Sequence, residues 1–236
     1  MTNRLGRLMG LSRGHWLADL ASGRGASAGA IARSFHCRVI GIEYGREAVV
    51  DARRLSLDAP VPADSWFIQG DAEMPPLKPG SFDAVFAECA FSVFPDKELA
   101  IAQAAALLKP GGRLGMSDVT VEPGFLPEEL NTSLGQMLCV TGALGMEGYA
   151  DLLSHAGLVN IYREEASLHV SELLTKIKAA LTTFSVLAGM VGSQEQTPVF
   201  GELSPETDWL GLVGRLERLV SAGQLGYWLY VGERPA

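Results

Sequence analysis

The chain has 236 residues, 47% of them hydrophobic, enough to bury a substantial core as one α/β domain with an elaboration. A formal net charge of −8, a pI near 5.0 and the lack of a basic run exclude a polyanionic partner such as nucleic acid. Three scattered cysteines, Cys37, Cys89 and Cys139, exclude a disulfide framework or a four-thiolate zinc site, and the histidines show no metal-ligand spacing, so no metal is expected.

Residues 1–14 carry arginines but no apolar secretory segment. The longest weakly polar stretch, 179–192, spans 14 residues and contains threonines and a serine, the length of a buried helix rather than a membrane span. A cytoplasmic protein without a membrane partner is expected, its cysteines free thiols.

After a short lead-in, residues 16–20 read as a first strand. The chain then breaks at Asp19-Leu20-Ala21-Ser22-Gly23-Arg24-Gly25 and resumes as a helical pattern over 28–34. Strand, glycine-containing turn and helix together open a mononucleotide-binding βαβ unit, in which Gly23 and Gly25 let a ligand approach the main chain. The same spacing also serves as a plain structural turn. Position 28, where a dinucleotide phrase would place its third glycine, is Ala, which favours a ligand smaller than a dinucleotide.

Residues 37–43 are β-branched and end on Glu43, a second strand whose acid lies 24 residues beyond Asp19. That is close to the roughly 20-residue offset of an acid that receives ribose hydroxyls. An amphipathic helix over 45–58 is stopped by Ala59-Pro60-Val61-Pro62. Strand three, 65–69, leads to Gly70-Asp71-Ala72-Glu73 and a proline-rich loop. Strand four, 82–87, is followed by Glu88-Cys89-Ala90-Phe91, a helix over 96–109 stops at Pro110-Gly111-Gly112, and strand five runs over 113–117. This alternation predicts a parallel, doubly wound sheet whose ligand lies beyond the carboxyl ends of the strands, where Asp19, Glu43, Asp71, Glu88, Cys89 and Asp118 would gather.

Downstream, 128–144 is helix-like but broken by Gly135 and Gly142, 147–155 is a short helix, and 158–164 is a sixth strand. A long apolar stripe opened by Ser171 predicts a helix over 171–191. A polar loop over 192–208, a helix over 209–220 and a closing strand over 225–231 complete the pattern.

In order and spacing, the phrases from Asp19 to Gly25, Glu43, Gly70-Asp71-Ala72-Glu73-Met74-Pro75, Phe82-Asp83-Ala84-Val85 and Leu108-Lys109-Pro110-Gly111-Gly112-Arg113-Leu114 resemble the class I S-adenosylmethionine-dependent methyltransferases. The resemblance covers about residues 15–118 and implies a Rossmann-like α/β fold. That fold has a seven-stranded sheet, helices on both faces and a helical insertion between the last two strands. The expected divisions are a cofactor-binding core over 1–170, a helical insertion or lid over 171–222 and a closing core strand over 223–236. S-adenosylmethionine is the implied cofactor. Gly23 and Gly25 would hold its methionine part, Glu43 its ribose, and Asp71 with the Ala72 amide its adenine. Asp19, Ala21, Tyr44, Glu73 and Glu88 complete the expected cofactor set. Ala21 stands where that family has glycine.

A narrower resemblance begins at Glu88-Cys89-Ala90-Phe91-Ser92-Val93-Phe94-Pro95-Asp96-Lys97. This stretch looks like the arsenite methyltransferases, as does Met137-Leu138-Cys139-Val140-Thr141-Gly142-Ala143-Leu144 with Tyr149 and His155 to Leu158. It implies that Cys89 and Cys139 are the catalytic residues and bind trivalent arsenic, with a thiol reductant as reaction partner. Soft thiolates suit a thiophilic centre, and a cysteine beside a sulfonium should ionise more readily. Positioning then supplies most of the catalysis, with effective molarities of about 10⁵ M or more, and no general base is needed.

This chain departs from that family in bringing no cysteine before Cys37, which opens strand two far from the rim and reads as a buried structural thiol. A two-thiol site suits a monomethylated arsenical, which needs only two sulfur ligands. Glu88 adds negative charge, which favours the sulfonium or marks a different substrate. Asp118 and Tyr149 are candidates to line the acceptor pocket. The alternatives are an organic thiol, selenide, oxygen or nitrogen acceptor, or a metalloid binder without methyl transfer, and the two cysteines can also be read as core residues.

Overall fold

The computed structural model describes residues 1–59, 63–132, 135–136, 138–191 and 208–236, with residues 184–191 described by their backbone alone. The elements run α1 (Thr2–Leu8), β1 (Trp16–Leu20), α2 (Ala26–Phe35), β2 (Arg38–Glu43), α3 (Arg46–Leu57), β3 (Ser65–Gln69), β4 (Phe82–Glu88), α4 (Lys97–Leu107), β5 (Leu108–Val121), α5 (Met146–His155), β6 (Val159–Glu165), α6 (Leu168–Val191), α7 (Trp209–Ser221) and β7 (Leu225–Glu233).

The strands form one seven-stranded sheet in the order β3-β2-β1-β4-β5-β7-β6. Strands β1 to β5 pair in parallel, as the alternating pattern predicts, but β7 runs antiparallel to both β5 and β6. The order reverses between β1 and β4, which places the ligand crevice beyond their carboxyl ends. Because β7 is reversed, its first residues rather than its last arrive at that rim. Val119 of β5 faces Tyr227 of β7.

The inner strands are apolar because helices cover both faces. Ala18, Leu20, Val85, Ala87, Leu114 and Met116 are buried in one cluster with Ala100, Ile101 and Ala104 of α4 and Tyr149 and Leu153 of α5. Leu17, Val39, Ala84 and Phe86 point the other way, against Leu5, Ile31 and Val49 from α1, α2 and α3. A third cluster joins Val121, Leu130 and Val140 to Leu174 of α6, Leu212, Val213 and Leu216 of α7, and Leu225. The two C-terminal helices therefore pack on the segment that carries Cys139, and Lys178 and Glu217 tie them together at 2.6 Å.

Two expectations shift. The helix before strand five ends at Leu107, and the strand starts at Leu108, running through Pro110 with a register break opposite Phe82 and Ala84. Within the stretch 128–144 the described residues form a 3₁₀ turn over Glu128–Leu130, helical backbone at 135–136 and otherwise irregular chain. Its glycines permit close approach: a Cβ at Gly142 would collide with the Ser92 carbonyl oxygen, and one at Gly135 with that of Leu130. The proline stop at 60–62, Met137 and the polar loop over 192–207 lie outside the described residues. Among the described residues no helix is long and apolar enough to cross a membrane.

Candidate active site

The turn after β1 is held by the acid after β2. The Gly23 amide donates to Glu43 Oε2 at 2.9 Å, and the Gly45 amide donates to Oε1 at 2.8 Å. One carboxylate thus fixes both turns. Gly23 (φ 53°) and Gly25 (φ 80°) lie in the left-handed region, and so does Ala21 (φ 56°). Such a conformation costs a non-glycine residue about 1 kcal/mol or more, the physical reason glycine suits that position. A Cβ at Gly25 would strike the Phe67 ring, whereas one at Gly23 would meet nothing within 4 Å, so the turn is open on its ligand side.

Asp19 is buried at 2% exposure, and its Oδ2 has no hydrogen-bond partner. Burial first, then the nearby Glu88 and Glu43 charges, push its carboxyl well above the usual carboxylate range. Glu88 Oε2 accepts from Thr2 Oγ1 at 2.8 Å, which brings α1 to the rim. Asp71 Oδ1 accepts the Glu73 amide at 2.8 Å, and Glu73 Oε1 accepts the Asp96 amide at 2.7 Å, so these two acids shape the loop after β3 and brace the start of α4. Ala72 is buried, Tyr44 is 77% exposed, and the Tyr44 carbonyl accepts from Gln69 at 3.1 Å.

The second half of the rim gathers around the cysteines. The Cys89 amide donates to the Ser117 carbonyl at 2.8 Å, which seats Cys89 against β5 at φ 52°. Cys139, also left-handed at φ 59°, points its Sγ at the Cys89 carbonyl oxygen, 3.4 Å away. Residues 50 positions apart in sequence therefore meet. Interaction between the neighbouring thiols, with Cys89 as the proton donor, pushes Cys89 up and Cys139 down, which favours Cys139 as the sulfur that ionises first. The sequence reading placed the easier ionisation on the cysteine beside the sulfonium. In the protein alone, the pairing of the sulfurs decides it.

Asp118 lies beneath them, fully buried, accepting the Ser92 amide at 3.0 Å and the Val119 amide at 2.8 Å. Desolvation outweighs those bonds and raises its carboxyl to about 6. Tyr149 is buried in the same quarter, with its hydroxyl unpartnered. Burial and the Asp118 charge push its phenol up. Lys97 donates to the Phe94 carbonyl at 2.9 Å, beside the backbone of Gly142. Cys37 is elsewhere, buried against the Ser12 carbonyl at 3.2 Å, with its thiol pushed up to about 11 by desolvation. Among the described residues no group of three or more metal-ligating side chains occurs.

Sequence reasoning missed Tyr227. Its hydroxyl lies 3.1 Å from Cys89 Sγ and 2.9 Å from Ser117 Oγ. The only signal for it would have been the direction of the last strand, which periodicity does not encode.

Residues 18–116 match the family described as a methyltransferase domain. The chain is 29% identical over 178 residues to 27-O-demethylrifamycin SV methyltransferase of Amycolatopsis mediterranei, a match covering 75% of this chain and 65% of that protein. It is 32% identical over 84 residues to an arsenite methyltransferase of Aquipseudomonas alcaligenes, covering 36% of this chain and 24% of the relative. Phosphoethanolamine N-methyltransferase 2 of Haemonchus contortus, solved with S-adenosyl-L-methionine, superposes with a TM-score of 0.74 at 18% identity, covering all of this chain and 52% of that one. The chain spans less than two thirds of the length of the rifamycin and Haemonchus proteins.

The sheet order and the structural likeness define the Rossmann-like fold of the class I methyltransferases, and residues 18–116 match a methyltransferase domain. The residues present fit S-adenosylmethionine. The buried, unpartnered Asp19 Oδ2 has a lone pair to offer an ammonium or a polar donor, and the open side of Gly23 leaves room for a ligand at the turn.

Proposed function

We propose that this protein transfers the methyl group of S-adenosylmethionine to a trivalent arsenical, arsenite or methylarsenite, held by Cys89 and Cys139. The observation that carries this reading is the meeting of two thiols across 50 residues of sequence, Cys139 Sγ 3.4 Å from the Cys89 carbonyl, at the rim next to Glu88. The bound cofactor supplies an electrophilic methyl group on a sulfonium. Glu43, Asp71 and the Ala72 amide orient it, the turn from Ala21 to Gly25 holds its amino-acid end, and Glu88 places negative charge beside the cation. Cys139, the more readily ionised sulfur, takes the arsenical first and Cys89 second, leaving the arsenic lone pair free to face the methyl. Orientation by two sulfurs does the work a general base would do for a protonated acceptor. A thiol reductant returns the oxidised arsenic to the trivalent state.

With two sulfur ligands, methylarsenite is the favoured substrate. The helices α6 and α7, which fall in the expected insertion, act as a lid, since Leu174, Leu212, Val213 and Leu216 cluster with Val140 beside Cys139.

The test is incubation of the purified protein with S-adenosylmethionine, a thiol reductant and either arsenical, with arsenic species separated by mass spectrometry. Methylated arsenic is expected, falling at least ~100-fold in Cys89→Ser and in Cys139→Ser. Equal turnover of both arsenicals would remove the preference for methylarsenite. Tight arsenic binding without turnover would make the protein a metalloid binder.

A second reading is favoured by the relative that matches 75% of the chain, which is named for methylation at an oxygen. An organic hydroxyl would then be the acceptor, and cofactor binding without arsenic methylation would select it.

A further inference from the structure

We infer that Tyr227, delivered by the reversed last strand, is the positioning residue of the thiol pair, its hydroxyl relaying a hydrogen bond from Ser117 to the Cys89 sulfur. The inference rests on the dithiol reading of the site, and it concerns how that dithiol is made reactive.

Its support is geometric. Tyr227 Oη stands 3.1 Å from Cys89 Sγ and 2.9 Å from Ser117 Oγ, so one phenol bridges the end of β4 and the middle of β5. Ser117 is 1% exposed, which leaves its hydroxyl few partners other than this phenol. Oriented from Ser117 to Tyr227 to sulfur, the chain ends in a phenolic O–H donated to Cys89. A sulfur accepting such a bond carries negative charge more easily than a bare one. The opposite orientation, thiol to phenol to serine, holds the neutral thiol instead. The choice between them is what a change in the thiol's charge would switch.

The tyrosine itself is anchored. Its amide donates to Ser167 Oγ at 3.2 Å, and its carbonyl accepts the Ala166 amide at 2.8 Å. Ala166 and Ser167 lie immediately before α6. Burial pushes the phenol itself far up, so at neutral pH it stays a donor. Proton donation toward Cys139 and burial both oppose ionisation of Cys89, and the Tyr227 hydroxyl acts against them. Without this donor Cys89 would remain a thiol after Cys139 has ionised, and the second sulfur–metalloid bond would be slow to form.

The test uses Tyr227→Phe, which keeps the ring and removes the hydroxyl. Iodoacetamide alkylation of Cys89, followed by peptide mass spectrometry from pH 6 to 10, reads the thiol without calling on methyl transfer. Cys89 alkylation near neutral pH should slow about tenfold and its pH midpoint should rise, while Cys37 is unchanged, because a hydrogen bond to a charged acceptor is lost. Ser117→Ala, which removes the relay behind the phenol, should shift the same profile in the same direction by a smaller factor, and serves if Tyr227→Phe does not fold. A Cys89 profile like that of the wild type in the folded variants overturns the inference. Should the profile shift while no arsenical is methylated by the wild-type protein, the positioning role stands and the acceptor reading falls.

Discussion

On the β1–β3 side of the rim, the proposed cofactor groups are set by short-range chain geometry. Glu43 accepts amides from the turn behind it and the turn after it, and Asp71 accepts the amide two residues on. On the β4–β5–β7 side the contacts that join the groups are long-range. Cys89, Asp118, Cys139, Tyr149 and Tyr227 come from five separate stretches, joined by Cys139 Sγ to the Cys89 carbonyl, Ser92 to Asp118, and Tyr227 to Cys89. The first half is a turn motif any sequence of this kind would rebuild. The second depends on the packing of α6, α7 and β7, so substrate choice can change there without disturbing the cofactor half.

The sharpest way to break this comparison is a crossed pair of substitutions. Cys139→Ser should lower arsenic methylation at least ~100-fold and leave the S-adenosylmethionine Kd, read by calorimetry, within about twofold. Glu43→Ala should do the reverse to binding. It removes the acceptor of two amides and of the expected ribose, and should weaken cofactor affinity by about 10- to 100-fold while thiol titration of Cys89 and Cys139 stays unchanged. If either substitution disturbed both readouts equally, the two halves would not be independent.

A smaller effect concerns Asp118, the buried acid of the second half. Its folded-state value of about 6 lies above the ordinary 3.8, so the folded protein binds this proton more tightly than the unfolded chain does. Protonation therefore favours folding. Stability falls as pH rises from about 4 to about 6, by an amount on the order of 2–3 kcal/mol, and this contribution is level above that window. Urea unfolding across that range should show the decline in the wild type, and its difference from Asp118→Asn should flatten above about pH 6. A difference independent of pH would mean that Asp118 stays ionised and is compensated by its two amide donors.

The smallest expected effect is at Cys37. Cys37→Ala should leave both halves untouched and cost about 1 kcal/mol of stability, the loss of a small buried side chain. Buried and with its thiol raised to about 11, Cys37 should also resist alkylation near neutral pH.

The strands and the glycine turn with its acids were largely legible because hydrophobic runs, turn residues and strand-end acids act over a few residues. Trp16–Leu20 and Ser65–Gln69 fall where their apolar runs lie, and Ala21 is forced into a left-handed turn that its neighbours already announce. The stretch 128–144 misled because its apolar residues recur at helical spacing. Gly142 instead allows backbone approach to Ser92, 50 residues earlier, a long-range fact that no window of sequence contains.

The sequence by itself determined the alternation of strands and helices, the glycine turn with its acids, and the presence of two cysteines beyond strand four, since each is a property of neighbouring residues and their period. Only the tertiary structure decided that the last strand runs backwards, that Cys139 reaches Cys89, and that Tyr227 arrives beside them. Those outcomes depend on which strand edge is free to pair and which backbones can come close, quantities fixed by the packed sheet as a whole.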